Sequence, residues 1–410
     1  MNIKKIIFIF CLIIYLIIAF GTEYFYRDKL YDISIKYIEN IKQDGFFHYF
    51  YFFWSMVFLI LIIIFGILIT LLFYPISIFF SFLSIQIILS FIMCILKSVY
   101  SNPRPFWDIY LKNEKNETEK LLPTPTECDG GFGNPSGHSL SATYILCLWN
   151  LFINSNYFKK IEGKKKIFIK YFTLVLSIIC ILFITYSRVN RQIHSFNQII
   201  FGAILGFAVF FTFCYILEIN AINPKTFMEN LNNYKYLLIP ILFVLFAISA
   251  ILGFIRHNGK ENEYFVILEK YCGYKKEELF GNSTILLSPI IFIIIGSYIG
   301  LLLLRYKIKK NFPNKENAFY NWNTRGQKFQ IIKIAFLSFF LPFIFPISII
   351  FINYKFIILK FILAIIFYFL YGFLSIGIFF YYSCIYYKKE EFVDEELLIN
   401  KQENEEENTI

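Results

Sequence analysis

Charged residues are scarce in this chain. Only 17% of its 410 residues are Asp, Glu, Lys or Arg, whereas 58% are hydrophobic. A soluble globular domain carries about 25% charged residues, so this composition excludes that class. The sequence also lacks a tandem repeat and a cluster of acidic residues with metal-ligand spacing. We therefore predict no metal and no other cofactor.

Long apolar runs take the place of the missing charge. A transmembrane helix needs about 20 mostly apolar residues, and the sequence has about ten such stretches. They lie near residues 6–20, 49–73, 75–96, 139–156, 167–186, 194–218, 234–255, 282–304, 329–352 and 356–386. The predicted fold class is an all-α, polytopic integral membrane helical bundle, with about nine transmembrane helices after an N-terminal signal sequence.

The first apolar stretch has the features of a targeting segment. Lys4 and Lys5 precede an apolar run that ends at Ala19-Phe20-Gly21, and small residues at these positions fit cleavage after Gly21. An uncleaved signal anchor is the alternative. The predicted organisation is a signal peptide or anchor over 1–21, a lumenal segment over 22–46, a membrane-embedded domain over 47–386 and an acidic cytosolic tail over 387–410.

The basic residues predict the membrane topology. The net charge of +10 comes largely from short loops beside apolar stretches, above all 157–166 and 305–328. Positive loops face the cytosol, so this charge indicates membrane orientation rather than nucleic-acid binding. The loops 97–138 and 187–193 then lie on the opposite, lumenal or exterior side.

Two further features fit a lumenal or exterior position. Asn116 begins an Asn-Glu-Thr sequon for N-glycosylation within the loop 97–138. Cys128 and Cys272 both lie in loops on that side, where an oxidising compartment permits a disulfide between them. Two free thiols are the alternative.

Three short clusters combine cations with histidines on that same side. They are Lys97 with Arg104-Pro105, Pro135-Ser136-Gly137-His138, and Ser187-Arg188 with His194. Arg grips two phosphate oxygens with its planar fork, and Lys adds a compact charge. Each cluster taken alone also has a plain structural explanation, as snorkelling cations, a helix cap or an interfacial histidine. Their common location favours a phosphate-handling site.

Local spacing suggests roles within these clusters. Ser136 and Gly137 stand at a helix start, where unpaired backbone N–H groups and the helix dipole favour an anion. Gln198 follows His194 by four residues, on the same helical face. The Gln198 oxygen is expected to accept from one ring nitrogen of His194, leaving the other nitrogen as a nucleophile.

The ordered motifs Lys-x6-Arg-Pro, Pro-Ser-Gly-His and Ser-Arg-x5-His resemble the type-2 phosphatidic acid phosphatase superfamily of histidine phosphatases. The resemblance implies that His194 forms a phosphohistidine and that His138 protonates the leaving oxygen. It implies a phosphate clamp of Lys97, Arg104 and Arg188, with Ser136 and Gly137 as further donors. It implies no metal.

Within that superfamily the chain most resembles glucose-6-phosphatase. Lipid phosphate phosphatases usually carry Asp at the position of Gln198, whereas glucose-6-phosphatases carry Gln. The aromatic sequence after Arg104-Pro105, the Cys- and Gly-containing approach 128–133 and the nine expected spans are similar too. The resemblance implies a phosphomonoesterase that acts on a sugar phosphate in the lumen of the endoplasmic reticulum.

Several alternatives stay open at this point. A lipid phosphate phosphatase would hydrolyse phosphatidate, a sphingoid base phosphate or a polyprenyl pyrophosphate. A membrane carrier or scaffold would retain an inactive pocket, which the intact pair His138 and His194 argues against. The plasma membrane and the endolysosomal membrane are alternatives to the endoplasmic reticulum. The expected partners are a phosphorylated small molecule, the lipid bilayer and a substrate transporter, with no nucleic acid.

Overall fold

The computed structural model describes residues 3–41, 45–73, 76–116, 131–154, 164–218, 233, 235–257, 262–273, 288–311, 344–350 and 358–375. These residues form α-helices with no strand among them, which confirms the all-α prediction for this part of the chain. The helices are α1 (Ile3–Glu39), α2 (Gly45–Phe52), α3 (Phe58–Phe73), α4 (Ile76–Tyr100), α5 (Pro105–Asn116), α6 (Gly137–Asn154), α7 (Lys164–Asn190), α8 (Phe196–Glu218), α9 (Lys235–His257), α10 (Asn262–Cys272), α11 (Ile291–Asn311), α12 (Ile344–Ile350) and α13 (Ile358–Ser375). A π-helical segment, Phe53–Val57, joins α2 to α3.

Helix α6 lies at the centre of the bundle. It contacts α3, α4, α7 and α8, and its side chains enter a core with Phe82 of α4 and Phe201 and Phe213 of α8. Surrounded in this way, α6 presents little surface to lipid. Its position matches the apolar stretch 139–156, whose prediction as a membrane span stays a prediction.

Two glycines allow α8 to approach α6 closely. A Cβ at Gly202 would lie 2.5 Å from the Ser136 carbonyl oxygen, and one at Gly206 would lie 2.6 Å from that of Leu140. Their four-residue spacing is the small-residue pattern through which membrane helices pack backbone to backbone. The close approach sets the start of α6 directly beside α8.

Apolar side chains cover the outside of the bundle. Helix α7 exposes Phe168, Val175 and Leu182, among others, and such contiguous apolar surface marks contact with a membrane. Six of the described helices are long and apolar enough to span one: Ile6–Glu39, Tyr49–Gly66, Ser84–Lys112, Ile167–Asn190, Phe196–Tyr215 and Ile358–Ser375. Tyr236–Leu252 and Ser288–Leu303 are shorter apolar helices. The expected number of about nine spans is not reached among the described residues and stays a prediction.

Four helix termini meet at one end of the bundle. Helix α4 ends at Tyr100 and α7 at Asn190, whereas α6 begins at Gly137 and α8 at Phe196. All three cation–histidine clusters lie at these termini. Lys164, at the start of α7, lies about 36 Å from Arg188 along the helix, at a rise of about 1.5 Å per residue. The clusters therefore share one end, opposite the basic start of α7, as the topology predicts.

Helix α1 continues without a break through Gly21 to Glu39. The predicted signal segment and most of the segment 22–46 are thus one helix, which packs on α8 and α5. Cleavage after Gly21 stays a prediction. The acidic tail 387–410 lies outside the described residues.

Candidate active site

His194 lies in the short connection between α7 and α8. Gln192 turns the chain there with a left-handed backbone (φ 62°), and the backbone N–H of His194 donates to the Arg188 carbonyl at 3.3 Å. The imidazole is 2% exposed. Because α8 begins only at Phe196, His194 precedes the helix rather than opening it, which corrects the expected helical placement.

Gln198 fixes the orientation of the His194 ring. Its Oε1 lies 3.2 Å from His194 Nδ1 and accepts from the Ser195 backbone N–H at 3.2 Å. Its Nε2 donates to the Pro103 carbonyl at 2.9 Å. The Ser195 N–H identifies Oε1 as the acceptor, and the Pro103 carbonyl identifies Nε2 as the donor. Because Oε1 can only accept, His194 Nδ1 must carry the hydrogen. His194 Nε2 is then the atom with the lone pair.

The Gln198 contact arises from a helix cap. Ser195-Phe196-Asn197-Gln198 has the pattern in which a Gln side chain reaches back to the N-cap backbone N–H. Gly133 makes room for the amide, since a Cβ there would collide with Gln198. The predicted pair His194 and Gln198 is therefore in contact, through the cap rather than through a shared helical face.

Arg104 contacts the other nitrogen of the His194 ring. Arg104 Nη1 lies 3.4 Å from His194 Nε2, and donates to the Ile193 carbonyl at 3.2 Å. Arg104 Nε donates to the Gly131 carbonyl at 2.5 Å. The side chain is fully buried. Pro105 begins α5 immediately after it, a position that suits proline. The guanidinium is therefore held at the lone-pair side of His194.

Arg188 and His138 meet at a side chain that the motifs did not include. Met56 Sδ lies 3.3 Å from His138 Nε2 and 3.8 Å from Arg188 Nη1. Arg188 is buried at the end of α7, and His138 is half-buried in the first turn of α6. Met56 belongs to the π-helical segment. The structure thus brings the second histidine and a second cation together.

The electrostatics of the site favour neutral His194. Burial is the main cause that lowers its pKa well below the ordinary value, and the charges of Arg104, Arg188, Lys97 and His138 add to it. Lys97 is half-buried at the last turn of α4, close enough to act on the ring. A neutral imidazole with a lone pair on Nε2 can attack an electrophile. The same cations suit a phosphate dianion.

Ser136 has a structural function at the start of α6. Its Oγ accepts from the hydroxyl of Ser139 at 3.1 Å and from the Ser139 backbone N–H at 3.5 Å, as an N-cap does. Ser136 also donates its backbone N–H to the Gln198 carbonyl at 3.0 Å. Gly137 permits close contact with Met93, because a Cβ there would collide with the Met93 sulfur. A role of Ser136 and Gly137 as phosphate donors stays a prediction.

Arg191, which belongs to none of the three predicted clusters, holds the π-helical segment against the α7–α8 connection. Its Nη1 donates to Ser55 Oγ at 2.5 Å, and its guanidinium lies 4.9 Å from the centre of the Phe52 ring. Ser55 adjoins Met56, so Arg191 fixes the segment that carries the methionine. No motif spacing would have indicated this contact.

The other predicted site residues are Asn116, Cys128 and Cys272. Asn116 is the last residue of α5, and the rest of its sequon is outside the described residues. Cys272 is disulfide-bonded, whereas Cys128 lies outside the described residues, so their pairing stays a prediction. Among the described residues no group of three His, Cys, Asp or Glu side chains is arranged to hold a metal ion.

Comparison with known proteins matches part of the chain to a family. Residues 77–221 match the family model of the PAP2 superfamily. This region contains both histidines and Lys97, Arg104 and Arg188. The superfamily consists of phosphatases, so the match implies hydrolysis of a phosphorylated substrate. No curated protein and no solved structure matches the chain.

Proposed function

We propose that the protein is a membrane phosphomonoesterase that forms a phosphohistidine on His194. The observation that supports this most directly is the orientation of one ring. His194 Nδ1 meets the Gln198 oxygen, while Nε2 meets the Arg104 guanidinium at 3.4 Å. The nucleophilic atom therefore points to the cation that would hold the phosphate.

In the first step, the lone pair of His194 Nε2 forms a bond to phosphorus. The bond from phosphorus to the ester oxygen breaks, and His138 gives its proton to that oxygen, releasing the alcohol. In the second step, His138 takes a proton from water, whose oxygen attacks phosphorus. The P–N bond breaks, and inorganic phosphate leaves with neutral His194 restored.

The cations stabilise charge that develops on the phosphoryl oxygens. Arg104 is oriented by two backbone carbonyls, and Arg188 lies at the end of α7 beside Met56. Donors fixed in a buried site need no reorganisation during the reaction, which is the main source of such stabilisation. Lys97 adds charge from the end of α4.

For the substrate we propose a sugar phosphate, as in glucose-6-phosphatase. Gln198 supports this choice, because a neutral amide replaces the carboxylate that lipid phosphate phosphatases usually carry. We further propose that the site faces the lumen of the endoplasmic reticulum. A sugar phosphate made in the cytosol would then need a transporter partner to reach it.

A lipid phosphate is the second candidate, and Met56 favours it. The thioether touches the side chain that would protonate the leaving group, so an apolar group lies beside the proposed acid. Phe53 and Val57 of the π-helical segment are exposed, as is Phe52 directly before it. An acyl chain would find apolar surface there.

The test measures phosphate release by purified protein from glucose 6-phosphate, phosphatidate and a sphingoid base phosphate. We expect turnover of glucose 6-phosphate and acid-labile labelling of the protein by phosphate. Turnover confined to the two lipids would replace the sugar with the second candidate. Inactivity on every substrate would favour an inactive carrier or scaffold.

Two variants separate the roles of the histidines. His194→Ala should lose both turnover and labelling. His138→Ala should still be labelled by an aryl phosphate, because a phenolate leaves without a proton, and the label should persist since no base activates water. Labelling of His194→Ala would disprove the assigned nucleophile.

A further inference from the structure

Glu23 is a buried carboxylate on α1, outside the region that matches the phosphatase family. Its side chain is 6% exposed, whereas Tyr24, Phe25 and Tyr26 beside it are exposed. Among the acidic side chains whose burial the structure describes, it is the one that is buried. A carboxylate held away from water is costly unless hydrogen bonds satisfy it, so its partners are informative.

The partners of Glu23 belong to the two segments that carry the histidines. Glu23 Oε1 accepts from Asn134 Nδ2 at 2.6 Å and from Asn197 Nδ2 at 3.2 Å. Asn134 precedes His138 by four residues, and Asn197 follows His194 by three. One oxygen atom therefore joins the approach to α6 to the start of α8.

The amide network extends beyond Glu23 on both sides. Asn197 Oδ1 accepts from Ser195 Oγ at 2.6 Å, and Ser195 directly follows His194. Asn134 Nδ2 also lies 3.4 Å from Asn102 Oδ1, two residues before Arg104. The three segments that supply Arg104, His138 and His194 thus meet in one network with Glu23 at its centre.

Packing along the whole of α1 holds Glu23 in this position. Phe8 stacks on Tyr215 at 4.0 Å, the Tyr15 hydroxyl donates to the Ile204 carbonyl at 2.9 Å, and Phe20 meets Phe201 at 5.4 Å. Partner numbers fall on α8 as they rise on α1, so the two helices are antiparallel. Three of these side chains precede Gly21, and cleavage there would remove them.

We propose that α1 is a retained part of the catalytic unit and that Glu23 is the positioning residue that aligns the two histidine segments. This inference rests on the proposed phosphohistidine chemistry and adds to it a requirement for a helix outside the matched domain. The carboxylate acts by accepting two amide hydrogen bonds in a buried site, where such bonds are stronger than in water. Without them, the loops at Asn134 and Asn197 lose a common anchor.

Rate per active site tests the positioning role. Glu23→Ala should lower kcat by about 10- to 100-fold, because a misplacement of about 1 Å has effects of this size, with little change in KM. The number of sites that can be labelled by phosphate should stay the same. Glu23→Gln keeps an oxygen acceptor for both Asn side chains and should therefore retain kcat within about fivefold of the wild-type value.

Asp28→Ala is the matched control on the same helix. Its carboxylate is 85% exposed and pairs with Arg27, so both kcat and labelling should match the wild type. Unchanged kcat in Glu23→Ala would overturn the proposal. The proposal would also be overturned if Glu23→Ala had fewer labelled sites but an unchanged rate per remaining site. That result is expected of a residue that only stabilises the fold. Equal losses in Glu23→Gln and Glu23→Ala would overturn the hydrogen-bond basis.

Two measurements do not depend on activity and so separate this proposal from the proposed function. Hydrogen exchange in Glu23→Ala should be faster in peptides over 131–138 and 191–198, with no change in Glu23→Gln or Asp28→Ala. Mass spectrometry of the mature protein should find the residues before Gly21. Unchanged exchange, or a mature chain that begins at Thr22, would overturn the proposal even if the enzyme is active; absent turnover in the wild type would instead refute the proposed function.

Discussion

Replacing Gln198 with Ala gives the most direct test of how the site is built. The substitution removes the acceptor for His194 Nδ1 and for the Ser195 N–H, and the donor to the Pro103 carbonyl. The ring of His194 could then rotate or change tautomer, so that the proposed nucleophile Nε2 would no longer be held beside Arg104. We expect a lower kcat with the substrate KM little changed, since no substrate contact is removed.

The size of the effect follows from the hydrogen bonds lost. Without Gln198, the reactive orientation of the His194 ring leaves buried partners unsatisfied, which costs about 1–3 kcal/mol relative to other orientations. Because the reaction needs that orientation, the cost adds to the activation barrier, where each 1.36 kcal/mol lowers the rate tenfold. The expected fall in kcat is thus about 5- to 160-fold. The assay is phosphate release per labelled site, which separates a slower enzyme from a partly unfolded one.

Gln198→Glu provides the matched comparison. Its carboxylate still accepts from Nδ1, but its second oxygen faces the Pro103 carbonyl, where Gln198 Nε2 now donates at 2.9 Å. A negative charge beside the ring raises the pKa of His194, so the acid limb of kcat/KM should move to higher pH than in the wild type. A wild-type rate per site in Gln198→Ala would refute the argument that this amide orients the nucleophile.

Three further results are expected. Burial, with nearby cations, lowers the pKa of His194 below its ordinary 6.5. The proposed nucleophile is the neutral form of His194, which persists as pH falls through 6.5. The acid limb of kcat/KM should therefore lie below pH 6.5. Arg104→Gln removes one of those cations, so this acid limb should move to higher pH on the same substrate. The variant should also lose about 2–4 kcal/mol of transition-state stabilisation, measured as a fall in kcat/KM. An acid limb that does not move would contradict the electrostatic argument. Gly202→Ala places a Cβ 2.5 Å from the Ser136 carbonyl oxygen, which should lower both the thermal midpoint and kcat. Ala203→Gly, at the next residue, costs about 1 kcal/mol of helix stability but adds no atom at the α6–α8 contact. It should therefore leave kcat within about twofold of the wild-type value.

Features that depend on neighbouring residues were predictable. Apolar stretches became helices because twenty or so apolar residues leave the chain no better way to satisfy its backbone in lipid. Pro105 starts α5 directly after Arg104, and the pattern Ser195 to Gln198 forms the cap of α8. The contact between Gln198 and His194 follows from such local geometry, even though His194 itself precedes the helix.

Contacts between distant segments were not predictable in this way. Met56 touches His138 across 82 residues of sequence, and its segment shows no phosphatase motif. The spacing of Gly202 and Gly206 could have indicated the close α6–α8 approach, because small residues four apart favour it. Nothing comparable marks Arg191, whose partner Ser55 is 136 residues away.

The sequence by itself determined the apolar stretches that form helices compatible with a membrane, and the order and spacing of the three clusters of cations and histidines. These properties reside in composition and short spacing, which no packing can alter. Only the tertiary structure decided how the clusters are held together. Glu23 meets Asn134 and Asn197 across 111 and 174 residues, because α1 packs antiparallel to α8 along its length. A buried carboxylate acquires its role from the donors that packing brings to it, and those donors are not local in sequence.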